Sequence, residues 1–171
     1  MNRFETWLAG STTGVTIREF PEGTRTASDA ARAVGCEVGQ IVKSLVFAAA
    51  GRPVVALVSG ANRVDERRLG AAAGEPVMKA DAEAARAATG YAIGGVPPFG
   101  HATDVPVFMD RDLYGHTTVW AAAGRPDSVF EISPERLREL SGAVVIDLKQ
   151  LPHPHPGAAP PTSPPSGEVT L

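Results

Sequence analysis

Apolar and polar positions alternate between Ile41 and Phe47 in a way that is typical of a β-strand. Odd-numbered residues of a strand lie on one face, so Lys43 shares its face with Ile41, Leu45 and Phe47. A lysine at such a position must reach water along its aliphatic stem or meet an anion, because an unpaired buried charge is costly. The segment therefore predicts a charged side chain held within an apolar surface.

The same reasoning along the chain predicts four helices and seven strands, bounded by capping and turn residues. Helices are predicted over 26–34, 65–73, 81–89 and 134–141, and strands over 15–20, 41–49, 54–58, 105–109, 117–122, 129–132 and 143–148. The strands at 41–49 and 54–58 form a predicted hairpin around 51–53, and the second is apolar on both faces, as central strands are. Along the chain, helices and strands neither alternate strictly nor give way to strands alone. This order of elements predicts an α+β fold with a mixed or largely antiparallel sheet that closes as a barrel.

The composition separates a domain from a tail near Leu151. Residues 1–150 have the length and apolar content of a single domain. Residues 151–171 consist mainly of Pro, Ser, Gly and Ala, which bury too little apolar surface to offset the entropy of ordering. We expect residues 151–171 to form a disordered tail.

Charge and cysteine content narrow the classes of function. The net charge of −3 argues against a wide positive surface for a DNA duplex, so we expect no DNA partner and only local contact with any nucleic acid. The single cysteine, Cys36, excludes an internal disulfide framework, and no zinc-type ligand spacing is present. We expect a cytoplasmic protein with no metal or other cofactor, and without a signal peptide or membrane span.

A second candidate feature is the segment Gly94–His101, which reads Gly-Gly-Val-Pro-Pro-Phe-Gly-His. Glycines allow main-chain N–H groups to approach a ligand closely, and prolines hold a loop in one shape. The segment is either the wall of a pre-formed pocket or a structural turn without a ligand. His101 is either a hydrogen-bond donor beside this loop or a surface histidine that closes a turn, and we assign it no proton transfer.

Conventional catalytic groups are scarce. The chain has no Gly-x-Ser-x-Gly elbow and no phosphate-binding or dinucleotide loop, and Cys36 follows a predicted helix end where the dipole disfavours a thiolate. A lysine and a loop of main-chain donors remain. They suit a site that binds an anionic substrate and stabilises an oxyanion while water or the substrate supplies the nucleophile. An activated ester is a suitable substrate for such a site.

Four segments in this order and spacing resemble the YbaK/EbsC family. They are 39–47, 60–65, 89–101 and 129–137, and the resemblance extends from Thr26 to Leu148. The family is similar to the editing domain inserted in bacterial prolyl-tRNA synthetases. The resemblance implies a free-standing aminoacyl-tRNA deacylase with a compact, mixed β-barrel-like sheet and flanking helices.

The resemblance also implies roles for particular residues. Lys43 matches the family lysine that holds the terminal adenosine and phosphate of tRNA, and the glycine segment matches the loop that lines the aminoacyl pocket. The predicted catalytic residues are Lys43 and Gly95, and the predicted substrate-binding residues are Gly94, Gly95, Val96, Pro97, Gly100 and His101. Family chemistry is assisted by the 2′-hydroxyl of the terminal ribose, which agrees with the absence of a catalytic triad.

The resulting hypothesis is hydrolysis of a small amino acid from mischarged tRNA, on tRNA(Pro) or a related tRNA. The expected partners are the aminoacyl-tRNA acceptor end and, as an alternative route of delivery, a synthetase. Ala121–Gly124 stands where cysteine-specific members have a Ser-Gly-Gly-like stretch, so the resemblance does not extend to cysteine specificity. The alternative function is a non-catalytic nucleotide- or synthetase-binding module of the same fold.

Overall fold

The computed structural model describes residues 3–10, 15–19 and 26–151. The helices are α1 Arg3–Ala9, α2 Ala27–Val34, α3 Glu66–Ala73, α4 Ala82–Thr89 and α5 Pro134–Ser141. The strands are β1 Ile17–Glu19, β2 Val42–Ala49, β3 Arg52–Ser59, β4 Val77–Lys79, β5 Val107–Asp110, β6 Val119–Ala122, β7 Ser128–Ile132 and β8 Val144–Ile146. Short 3₁₀ segments, Val38–Gln40 and Arg111–Gly115, precede β2 and follow β5.

The strands form two sheets. One has the order β1-β7-β6 and is antiparallel, and the other has the order β4-β2-β3-β5-β8. In the larger sheet β2 pairs antiparallel with β3 and β4, whereas β5 pairs parallel with β3 and β8. The predicted α+β class with a mixed, largely antiparallel sheet and flanking helices is confirmed. Over the described residues the strands do not close into a barrel, and a bridge between Ile41 and Trp120 joins the two sheets.

Four helices begin and end where their capping residues predict. Their N-cap side chains accept hydrogen bonds from main-chain N–H groups of the first turn; the residues are Thr26, Asp65, Asp81 and Ser133. Each of these helices ends at a glycine in the left-handed conformation, at Gly35, Gly74, Gly90 and Gly142. These boundaries are readable from sequence because capping is a local interaction.

Other details differ from the sequence-based expectation. The hairpin turn lies at Ala50 and Gly51, with φ values of 50° and 83°, so Arg52 and Pro53 belong to β3. Two consecutive residues with positive φ are typical of the two-residue turn whose twist matches that of a hairpin. The elements α1 and β4 were not expected, since both are short and are held by contacts with distant parts of the chain.

The two faces of β2 pack into different parts of the core. Val42 and Val46 belong to the central apolar cluster, together with Val96 and Phe99 of the glycine segment. Phe47, on the other face, belongs to a second cluster that includes residues of α3, β3, β5 and the end of the domain. β2 is therefore the strand from which both candidate features are positioned.

The predicted disordered tail lies outside the described residues, except for Leu151. The division into a domain over 1–150 and a tail over 151–171 stays a prediction. Within the described part of the chain, no helix reaches the length and apolarity that crossing a membrane requires.

Candidate functional site

Lys43 is buried in β2, with 4 % of its surface exposed. It pairs with Val58 of β3, and its Nζ donates a hydrogen bond to the main-chain carbonyl oxygen of Asn62 at 2.7 Å. The expectation that this cation lies within an apolar surface is confirmed. Its side chain does not extend into bulk water, because the turn after β3 brings a carbonyl oxygen to the ammonium.

One edge of β2 has no ladder of hydrogen bonds beside Lys43. Along this edge β4 pairs only with Phe47–Ala49, and Ile41 forms the bridge to Trp120. Among the described strands, none pairs with this edge between Val42 and Leu45. The strand β6 nevertheless lies alongside β2 here, and Val42, Lys43 and Ser44 are buried.

The glycine segment forms an irregular loop whose middle is buried. Residues 95–99 are all buried, and Phe99 packs against Phe4 of α1 and Phe130 of β7 with ring centroids 5.5 Å away in each case. Tyr91 donates a hydrogen bond from its hydroxyl to the carbonyl oxygen of Gly100 at 3.2 Å. These contacts fix the loop in one conformation, as expected for either a pocket wall or a structural turn.

Gly95 is held closely by the neighbouring chain. A Cβ atom at this position would lie 3.0 Å from Cα of Arg125 and 3.1 Å from the carbonyl oxygen of Gly124, so only glycine fits without a shift of the backbone. Its N–H donates to the carbonyl oxygen of Ala92 at 3.0 Å. The next residue, Val96, is 1 % exposed, and its N–H donates to no acceptor among the described residues. The N–H of Phe99, which is 3 % exposed, also has no acceptor among the described residues. Buried N–H groups without an acceptor are rare in proteins, which makes Val96 and Phe99 the main-chain donors of interest in this loop.

The structure brings Lys43 and the loop to opposite faces of β2. Val96 and Phe99 share the central cluster with Val42 and Val46, which point away from the face that carries Lys43. The predicted residues Gly94, Gly95, Val96, Pro97, Gly100 and His101 lie together in the loop. A ligand that contacts both features has to do so across the edge of β2 that faces β6.

His101 stabilises the shape of the loop. Its Nε2 lies 2.7 Å from the carbonyl oxygen of Pro97, so the bonded tautomer carries a hydrogen on Nε2. Burial lowers the pKa of the imidazole, and the bond to Pro97 offsets only part of this effect. The neutral ring is therefore the form that the folded protein favours.

We expect His101 to make the folded state sensitive to mild acid. Because the unfolded chain takes up the proton near the ordinary imidazole pKa of about 6.5, and the folded chain only at lower pH, protonation favours unfolding. The contribution of the neutral His101 ring to the free energy of unfolding is fully present above the pKa of the unfolded chain. It is lost as the pH falls toward the pKa of His101 in the folded state. Urea titrations at two pH values, about one unit above and one unit below 6.5, should show a larger loss of stability for the wild type than for His101→Gln. Equal losses in the two proteins would contradict this assignment.

Sequence reasoning missed a polar cluster at the end of β3. Asn62 donates from Nδ2 to Oδ2 of Asp110 and to Oδ2 of Asp112, each at 2.9 Å. Asp110 also caps the 3₁₀ segment after β5, because its Oδ1 accepts the N–H of Asp112. Asn62 lies in segment 60–65, one of the four segments that carry the family resemblance. That resemblance is the sequence signal that could have identified Asn62.

A cleft of about 640 Å³ opens beside this cluster. Asn62 and Asp112 form part of its wall, together with Gly39 and His116. The cleft is polar and mixed in charge, with Arg111 also at its wall. Asn62 therefore connects a solvent-accessible depression to the buried ammonium of Lys43.

Cys36 is a small packing residue, in agreement with its position at a helix end that disfavours a thiolate. It is partly buried against the cluster formed by α2 and Trp120, and its Sγ donates to the carbonyl oxygen of Glu37 at 3.3 Å. Burial raises the pKa of the Cys36 thiol, so the protonated form is favoured. A nucleophilic thiolate is not what this position provides.

Comparison with known families gives the site its context. Residues 21–140 match the model of the aminoacyl-tRNA editing domain, which covers more than half of the chain. The chain belongs to the aminoacyl-tRNA editing domain family. The resemblance read from the four sequence segments is confirmed by this match.

Individual relatives agree with the family assignment. A crystal structure of a proposed trans-editing enzyme for prolyl-tRNA synthetase is 45 % identical, with a TM-score of 0.81 over 88 % of this chain and 99 % of that one. The Bacillus subtilis protein YwhH is 33 % identical over 77 % of this chain and 85 % of its own length. The proline–tRNA ligase of Limosilactobacillus fermentum is 32 % identical over 54 % of this chain, and the match spans 17 % of the ligase. This editing domain thus resembles both a free-standing protein and a segment of a larger synthetase.

Proposed function

We propose that this editing domain hydrolyses the ester bond of mischarged aminoacyl-tRNA, releasing a small amino acid from tRNA(Pro) or a related tRNA. The observation that carries the proposal is the buried ammonium of Lys43 bonded to Asn62, a residue that also lines a solvent-accessible cleft. An acceptor end supplies phosphate and ribose oxygens that a lysine ammonium can bind. Membership of the editing family supports this choice of substrate.

In this proposal the ammonium of Lys43 holds the 3′ end of the tRNA, and the loop polarises the ester carbonyl. Gly95 lets the loop pack directly against the backbone of Gly124 and Arg125, and the N–H of Val96 supplies a donor to the developing oxyanion. The other predicted binding residues, Gly94, Pro97, Gly100 and His101, maintain the shape of the loop around the aminoacyl group. A donor of this kind acts on charge that develops only in the transition state.

The nucleophile is a water molecule that the terminal 2′-hydroxyl orients. Its oxygen adds to the carbonyl carbon, the bond between that carbon and the ribose 3′-oxygen breaks, and the 3′-oxygen takes up a proton. The products are the free amino acid and uncharged tRNA. No side-chain nucleophile is needed, in agreement with the role of Cys36 as a packing residue.

A panel of mischarged tRNAs tests the proposal. Each tRNA is incubated with excess protein, and the release of labelled amino acid is followed under single-turnover conditions. We expect rapid release from at least one tRNA that carries alanine, serine, threonine or another small amino acid, and no effect on correctly charged Pro-tRNA. Binding of an aminoacyl-adenosine analogue without release from any member of the panel would instead select the non-catalytic binding module.

A further inference from the structure

Asn62 lies between the candidate lysine and two carboxylates. Its carbonyl oxygen accepts the bond from Nζ of Lys43 at 2.7 Å, while its side-chain amide donates to Asp110 and Asp112 at 2.9 Å each. Its own N–H donates to the carbonyl oxygen of Ser59 at 2.9 Å. The main chain and the side chain of this one residue are therefore both fixed.

The amide of an asparagine has two N–H donors, and here two carboxylate oxygens are available to receive them. Hydrogen bonds to charged acceptors are stronger than those between neutral groups. The side chain of Asn62 is consequently restricted to one orientation. The main-chain carbonyl group of Asn62, whose oxygen faces Lys43, is restricted with it. A lysine side chain has several rotatable bonds, so a fixed acceptor is what defines the position of its ammonium.

The carboxylates are themselves anchored. Asp110 is fully buried at the end of β5, where Oδ2 also accepts the N–H of Ser59 at 3.2 Å and Oδ1 accepts the N–H of Asp112 at 3.0 Å. Asp112 forms an ion pair with Lys149 at 3.2 Å. The Asn62 amide, followed by Lys149, holds the pKa of Asp112 below its ordinary value, so this carboxylate stays ionised at neutral pH.

We propose that Asn62 and Asp110 are positioning residues that direct the ammonium of Lys43 toward the acceptor end of the tRNA. This inference rests on the proposed function. The arrangement passes from the end of β5, through the turn after β3, to the start of β2. It explains why a carboxyl side chain is fully buried far along the chain from the lysine that it serves.

Asn62→Asp is the variant that tests this most sharply. The substitution keeps the size of the side chain and the main-chain carbonyl, but it replaces the donating amide by a carboxylate that Asp110 and Asp112 repel. We expect the single-turnover rate of deacylation to fall roughly 10- to 100-fold, since misplacement of a binding group by about 1 Å has effects of this size. Ser133→Ala, which removes the N-cap of α5, is the control for a loss of stability without a loss of rate.

A double-mutant cycle separates positioning from a general loss of structure. In a Lys43→Met background, Asn62→Asp should lower the rate no further, although it should lower the urea midpoint as much as it does in the wild type. An equal fold-loss of rate in both backgrounds would overturn the proposal, because Asn62 would then act independently of Lys43.

A second readout does not depend on activity. The ¹⁵Nζ resonance of the Lys43 ammonium is compared in the wild type, Asn62→Asp and Ser133→Ala. We expect it to shift or broaden in Asn62→Asp only, and an unchanged resonance would overturn the positioning role. If the wild type hydrolyses none of the mischarged tRNAs, the proposed function fails, while this resonance still decides whether Asn62 positions Lys43.

Discussion

Replacement of Lys43 by methionine is expected to reduce the single-turnover rate of deacylation by roughly 10- to 100-fold. A hydrogen bond from a charged donor contributes about 1.5–3 kcal/mol, and about 1.4 kcal/mol corresponds to each factor of ten in rate. Methionine retains an unbranched apolar side chain in β2, so the packing against Ile41 and Leu45 changes little. Quenched-flow measurement with the most reactive tRNA of the panel gives the rate.

Lys79→Met is the matched control for this prediction. Lys79 is an exposed lysine of β4, the edge strand that pairs with β2 at Phe47. The same change of charge at this position should leave the rate within about twofold, because exposed charges contribute little. If Lys43→Met retained the wild-type rate, or if the two variants lost rate equally, Lys43 would have no specific part in the reaction.

Gly60→Ala is expected to destabilise the fold by about 3 kcal/mol. A Cβ atom at Gly60 would lie 2.4 Å from the carbonyl oxygen of Val38 and 2.9 Å from Cβ of Ala27. Both contacts are too short, so the turn after β3 would have to move away from α2 and from the 3₁₀ segment before β2. Urea denaturation monitored by circular dichroism measures the change in the free energy of unfolding.

Gly115→Ala controls for the replacement of a glycine as such. A Cβ atom at Gly115 would meet no heavy atom within 4 Å, so its free energy of unfolding should change by less than about 0.5 kcal/mol. If Gly60→Ala and Gly115→Ala unfolded at similar urea concentrations, the turn after β3 would tolerate a side chain. The close packing described for Gly60 would then be wrong.

The helices of this domain were predictable because their ends are decided locally. Asp65 and Gly74 bound α3, and Asp81 and Gly90 bound α4, at the positions that capping rules indicate. The helix α1 was not predictable in this way, since its Phe4 is buried by Phe99 and Phe130 from distant parts of the chain. Such contacts leave no periodic signal in a segment of seven residues.

The candidate site was predictable only in part. Alternation along β2 predicted that Lys43 is buried, because the side-chain direction in a strand follows from position alone. The bond from Lys43 to Asn62 depends on the turn after β3, and the contact of Asn62 with Asp110 depends on the pairing of β3 with β5, which joins residues about fifty positions apart. The sequence also contains no sign that the N–H of Gly95 bonds to Ala92, so that Gly95 is not a free donor of the loop.

The central claim is that one acylated 3′ end contacts Lys43 and the glycine loop together, although the two lie on opposite faces of β2. The most direct measurement is an NMR titration of the labelled protein with a non-hydrolysable 3′-aminoacylamino-3′-deoxyadenosine. The account predicts that the ¹⁵Nζ resonance of Lys43 and the main-chain amide of Val96 shift together, with one dissociation constant. A shift of only one of these resonances at saturation would contradict it.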